Sequence, residues 1–197
     1  MVTFERIVFF NRPCDKSVTY AKEKKMLSKN LIKVLSDQIN AEYYSAYLYL
    51  SMSTWADKEG LKGTAKWLFA QAQEEMAHGT RIYQYVLERG ESPTFGIIEK
   101  PMTSFLSIQD IFIKTLEHEQ KVTKMINEIA TVAMKENDHA CYQFLMWFVN
   151  EQVEEEASAS DILDKLKLIG DNKSMLLTLD NELGTRVFVN PFANLVN

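Results

Sequence analysis

The residues of this chain best suited to chemistry are acids that fall on apolar helical stripes. From Ser28 onward, Ile32, Leu35, Ile39 and Ala46 recur at alternating steps of three and four residues, and the same steps place Glu42 on that face. Extending the other stripes in the same way puts Glu75 among Leu68, Ala72, Ile82 and Val86. Glu119 falls among Phe112, Leu116, Val122 and Ile126, and Glu151 and Glu155 fall between Phe148 and Ile162. An ionised carboxylate in an apolar interior is strongly disfavoured unless a positive charge compensates it. No lysine or arginine shares those stretches of stripe. His78, three residues after Glu75, lies on the same helical face and forms a Glu-x-x-His pair in the segment QEEMAH. A divalent or trivalent metal ion answers the charge problem.

Several carboxylates and one imidazole suit a fairly hard, redox-active ion, iron or manganese, better than one that seeks thiolates. Iron is the expectation. Glu75 stands where a carboxylate bridges two ions, with Glu42 and His78 completing one site and Glu119 and Glu155 the other. Tyr49, two turns beyond Glu42, is placed to give an electron or a hydrogen bond to bound oxygen, and Trp147 is a second aromatic for a similar part. Each piece alone has a plainer reading. A lone Glu-x-x-His is usually a solvated face, Tyr49 and Trp147 are ordinary core aromatics, and Glu154 to Glu156 is an exposed charge run. Acids on four separate stripes at matching depth, one of them paired with histidine, tip the balance towards metal.

The elements that must position these groups are long helices. Ser28 is a natural N-cap for a first helix reaching about Lys58. Glu59, Gly60 and Gly63 form a break, and a second, antiparallel helix runs to Gly90. Residues 90 to 107, with Pro93, Gly96 and Pro101, lack periodicity and are long enough to run the length of a helix, so they read as a crossover. A third helix ends near Asn137, a fourth at Gly170, and a short fifth spans about Ser174 to Gly184. The predicted fold is all-α, a four-helix bundle with one long crossover, which is the ferritin-like connection.

The chain has 197 residues, 46% of them hydrophobic, with seven glycines and four prolines, enough for one helical core. Residues 1–25 carry six Lys/Arg against three Asp/Glu and no helical period, and read as an extension that is disordered or not native; 26–197 form the domain. The remaining 16 basic and 24 acidic residues give the main body a charge of −8, which argues against nucleic-acid binding and is compatible with attracting cations. Cys14 and Cys141 are in no metal-ligand spacing and read as unpaired. No apolar run reaches the roughly 20 residues needed to cross a bilayer, and the expected compartment is the cytoplasm. Two rivals stand against the metal reading. A metal-free helical binding module predicts stripes without acids, and a different di-metal enzyme of oxygenase or catalase type wants a substrate pocket or another histidine count.

The segments NAEYYSAYLYLSMSTWAD, AQAQEEMAHGTRIYQYV, LEHEQKVTKMINEIA and FLMWFVNEQVEEE resemble, in order and spacing, the four helices of bacterial non-haem ferritins, over Met26 to about Leu183. The resemblance implies a ferroxidase that oxidises Fe(II) with dioxygen or hydrogen peroxide and stores ferric oxide inside a cage of twenty-four subunits. It further implies a first iron on Glu42, Glu75 and His78 and a second on Glu75, Glu119 and Glu155, with Gln152 beside them. A third, inner iron would lie on Glu74, Glu151, Glu154 and Glu155, and Tyr49 and Trp147 match the family's redox-active tyrosine and nearby tryptophan. Glu155 is followed three residues later by Ser158, not by a second histidine. This departs from bacterioferritin, so despite Met52 no haem is implied. The cysteine pairs of a rubrerythrin are also missing.

Overall fold

The start of four of the five helices follows from the residue that precedes it. In the computed structural model, which describes residues 26–193, five helices follow one another with no strand among the described residues. They are α1 (Lys29–Lys58), α2 (Lys62–Glu88), α3 (Ile108–Lys135), α4 (His139–Ile169) and α5 (Lys173–Leu183). Ser28 Oγ accepts from Leu31 N–H at 3.0 Å, Ser107 Oγ from Asp110 N–H at 3.1 Å and Asp138 Oδ1 from Cys141 N–H at 3.0 Å. Asn172 Oδ1 accepts from the N–H groups of Ser174 and Met175. These side chains satisfy donors that a first helical turn cannot pair internally. Residues 1–25 lie outside the described residues.

The second helix has no cap of its own. Leu61 precedes α2 and offers nothing, so the cap comes from α5. The Asp180 carboxylate accepts from Gly63 N–H at 2.9 Å, Thr64 N–H at 2.8 Å and the Thr64 hydroxyl at 2.7 Å. A carboxylate there also meets the positive end of the helix dipole. A Cβ on Gly63 would stand 1.6 Å from the Asp180 carbonyl oxygen. Gly63 therefore belongs to the first turn of α2, where close approach of α5 demands glycine, and not to the break before it. Gly60, at φ 82°, makes the turn itself.

The connection 89–107 runs along α1. Thr94 N–H donates to Ser36 Oγ at 3.0 Å, Asn40 Nδ2 to the Ile97 carbonyl at 3.1 Å, and Ser51 Oγ to the Met102 carbonyl at 2.7 Å. Its polar backbone is thus paired by α1 side chains, as a segment without secondary structure requires, and it delivers α3 to the far end of the bundle.

Two apolar clusters fill the interior. One holds Leu31, Leu35, Ile82, Val86, Ile126 and Leu145, the other Tyr49, Met52, Leu68, Phe112, Ile162 and Leu183. The expected stripes are offset in places. Ile32, Leu116 and Phe144 are half-buried at the stripe edges, while their neighbours Leu31, Thr115 and Leu145 take the centre. Adjacent positions on a helix differ by about 100°, so a wide stripe accommodates either neighbour and periodicity does not choose between them. No helix is long and apolar enough to cross a membrane among the described residues.

Asp180→Ala leaves two buried N–H groups and a hydroxyl at the start of α2 without an acceptor. It is expected to lower stability by about 1–3 kcal/mol in thermal melts, with Asp180→Asn recovering part of the loss.

Candidate metal centre

Between the two apolar clusters lies a polar layer to which all four long helices contribute. Gln38, Glu42 and Ser45 come from α1, Gln71, Glu75 and His78 from α2, Glu119 from α3, and Gln152 and Glu155 from α4, all of them buried. The stripes are interrupted at one depth, so the acids of separate helices converge.

Ligand atoms of Glu42, Glu75 and His78 lie within 4.8 Å of one another, as do those of Glu74, Glu151 and Glu155. His78 Nδ1 is 3.5 Å from Glu75 Oε2. The Tyr49 hydroxyl donates to the Glu119 carboxylate. Gln152 Nε2 donates to Glu119 Oε2 at 3.2 Å and reaches the Glu119 carbonyl and Thr123 Oγ1. Trp147 stands edge-on to His78, ring centroids 5.4 Å apart. Glu151 is half-buried, whereas Glu154 is exposed and stands outside both groups. A side chain three residues after Glu151 shares its face only in part, and the α4 stripe turns Glu155 inward instead. Met52 is fully buried, with the Thr115 hydroxyl 3.7 Å from its sulfur.

Two glutamines escaped the sequence reading. Gln38 Nε2 donates to Glu42 Oε1 at 2.8 Å and Gln71 Nε2 to Glu75 Oε1 at 3.0 Å. Each sits four residues before its glutamate, so a repeated Gln-x-x-x-Glu on α1 and α2 was the available signal. His118, next to Glu119, shares a 2.7 Å hydrogen bond with Ser45 and stacks edge-on to Tyr49. It stands outside both ligand groups.

The electrostatics are those of a site lacking positive charge. Burial, then the charge of Glu75, pushes the Glu42 carboxyl well above its ordinary range, and the same two causes raise Glu119 to about 8. Burial and the neighbouring Glu75 and Glu119 also push Glu155 up. Burial would raise Glu75 too, but the His78 ring and hydrogen bonds from Glu42 and Gln71 outweigh it, and its net shift is downward. Burial disfavours the imidazolium of His78, yet the Glu75 carboxylate more than compensates, raising it to about 9. Burial and Glu119 hold the Tyr49 phenol protonated far above its usual range. Glu42 Oε2 and His78 Nε2 have no hydrogen-bond partner among the protein atoms. The donor set, carboxylate oxygens with one imidazole, therefore fits hard divalent or trivalent cations.

The sign of the pH dependence follows. Glu119 is raised from 4.5 to about 8 and His78 from 6.5 to about 9, and both raised values mean that the folded, metal-free chain holds protons that the unfolded chain has lost. Their stabilising contribution is complete below the unfolded values and fades as pH rises through the folded ones. The melting temperature of metal-free protein is expected to fall between about pH 5 and 9, and saturating Zn(II) to flatten that slope as metal replaces protons. Glu119→Gln removes one of the titrating acids, and at pH 8 it should melt about 2–4 °C above the parent for each 1 kcal/mol regained.

The chain matches the ferritin-like domain family over residues 32–169. It is 42% identical over 159 residues to a probable bacterial non-haem ferritin-like protein of Haemophilus influenzae, covering 81% of this chain and 96% of that one. It is 41% identical over 163 residues to the bacterial non-haem ferritin of Staphylococcus aureus, covering 83% and 98%. Among solved structures, the open-pore ferritin of Archaeoglobus fulgidus superposes with a TM-score of 0.81 at 48% identity, covering 82% of this chain and 98% of that one. The family match, the identity over most of the chain and the superposition agree, and the chain belongs to the ferritin family, among the bacterial non-haem ferritins.

Proposed function

We propose that this protein stores iron, and that each subunit oxidises Fe(II) at the buried acid layer before the ferric product moves to a mineral held inside an assembly of subunits. The observation that carries this reading is the charge of the layer. Glu42, Glu75, Glu119 and Glu155 are buried around His78, with no lysine or arginine paired to any of these four carboxylates among the described residues. Cations are the complement such a layer requires.

Iron is the substrate here, and the side chains do three things to it. Glu42 and His78 on one side, and Glu119 and Glu155 on the other, offer ligands for two Fe(II), with Glu75 between them. Binding displaces the protons that Glu42, Glu119 and Glu155 hold in the metal-free chain, so uptake releases acid. Anionic oxygen ligands favour Fe(III) over Fe(II), because the attraction scales with the metal charge, and oxidation is thereby promoted. Each Fe(II) gives up one electron, so a pair supplies the two that reduce one dioxygen to the peroxide level. Gln38, Gln71, Gln152 and Tyr49 hold the carboxylates in place through their hydrogen bonds, and such supporting shells set affinity and activity in metal sites. Tyr49, kept protonated and donating to Glu119, is an oxidisable phenol beside the acid layer. Trp147, edge-on to His78, is a second oxidisable ring beside the first iron.

The inner group Glu74, Glu151 and Glu155 takes a third iron on its way out of the bundle, with Glu155 shared between the two groups. The twenty-four-subunit cage implied by the family provides the storage volume, and the cytoplasm is the compartment in which Fe(II) is available to it.

The test is anaerobic Fe(II) loading followed by air, with ferric absorbance and particle size recorded together. The parent is expected to develop ferric colour rapidly within one large soluble particle. Glu75→Ala should slow the oxidation by at least about 10-fold, the scale of loss seen for metal-site mutations even beyond the ligands themselves, while leaving particle size unchanged. A small particle whose oxidation matches protein-free buffer would overturn the proposal.

A further inference from the structure

The chain does not end with α5. After Leu183 it turns back towards the acid layer, with Thr185 and Arg186 N–H donating to the Glu182 and Leu183 carbonyls at 3.0 and 3.2 Å. The Arg186 guanidinium donates to Gln71 Oε1 at 2.5 Å and to the Glu74 carboxylate, and lies 4.4 Å from the centroid of Trp67. Gln71 in turn donates to Glu75, so the guanidinium stands one amide away from the Glu75 carboxylate. Six residues later Phe192, only 7% exposed, joins the apolar cluster. Its ring centroid is 4.5 Å from Trp147, 6.1 Å from Phe148 and 6.2 Å from His78. Between these anchors Val187 and Val189 are 70% and 76% exposed and Phe188 is half-buried, so the intervening segment is less buried than Phe192.

One of these anchors conflicts with iron. Glu74, Glu151 and Glu155 bring ligand oxygens within 4.8 Å of one another, but Oε2 of Glu74 already accepts from Arg186. A guanidinium and a metal ion at one carboxylate repel each other and compete for the same lone pairs.

We propose that residues 184–192 form a strap whose Arg186 occupies the cation position at Glu74, so that a metal ion enters the Glu74–Glu151–Glu155 group only when the strap lets go. The proposal rests on the metal reading above and adds an order of filling to it. The pair of sites around Glu75 loads first, and the inner group loads at the expense of the strap. The aromatic anchor sets how readily release occurs, because the affinity of the inner group is reduced by the fraction of time the strap is closed.

Calorimetric titration of Zn(II), which does not change oxidation state, into the full chain tests this together with hydrogen exchange of the peptide covering 184–193. The parent should bind two ions tightly and a third more weakly, and exchange in the strap should rise as the third ion binds. Arg186→Gln should bind the third ion about 10-fold more tightly, with a smaller tightening at the first two, as expected if the open fraction is about one tenth. Removing a positive charge raises the affinity of any nearby cation site, so Phe192→Ala, which leaves every charge in place, is the discriminating variant. It should speed strap exchange in the metal-free protein and also tighten the third site, by roughly 2–5-fold on the same relation. Unchanged third-site affinity in Phe192→Ala, or strap exchange unaffected by Zn(II) in the parent, overturns the strap while leaving the ferroxidase reading intact. Absence of the two tight sites from the parent overturns both.

Discussion

Four carboxylates and a histidine are held at one depth of a bundle that otherwise buries apolar side chains, and the remaining features of the subunit accommodate that cost. The layer divides the interior into two apolar clusters, each large enough to include several completely buried Leu, Ile and aromatic side chains. Each such side chain contributes roughly 1.5–3 kcal/mol by its burial, and that surplus is what allows acids without a lysine or arginine partner to be buried between them. The layer also explains why the four bundle helices are long. A shorter bundle has room for the acids or for the flanking clusters, but not for both.

The glutamines show how the layer is kept in order without adding positive charge. Gln38, Gln71 and Gln152 each give an amide N–H to an acid and no countercharge. A lysine in the same place would bind its carboxylate more strongly, and would exclude the cation for which the layer is suited. A neutral donor orients the oxygen atoms and leaves the electrostatic demand unmet.

Much of this was legible in the sequence, because two regularities coincide in it. The helical period located the five helices to within a residue or two, and extending it through Glu42, Glu75, Glu119 and Glu155 located the layer, since an acid on a core stripe is an exception that periodicity makes visible. The crossover was legible from its prolines and length. Some of what stayed hidden depends on contacts between parts of the chain remote in sequence. Arg186 falls outside any stripe, and nothing local links it to Glu74. Gly63 resembles a helix breaker until Asp180 is seen against it. Glu154, drawn into the inner group by its family resemblance, faces solvent because its neighbour Glu155 takes the inward position.

The Asp180 cap bears on how the subunit is made. The group that completes the first turn of α2 lies 117 residues further along the chain than Gly63, in the last helix. During synthesis α1 to α4 emerge before α5 exists, so the second helix begins its life with a frayed start. Contacts of such sequence separation are slow to form. A chain truncated ahead of α5 therefore loses more than a terminal helix, since it also leaves the hairpin of α1 and α2 unfinished at the end that the crossover must reach.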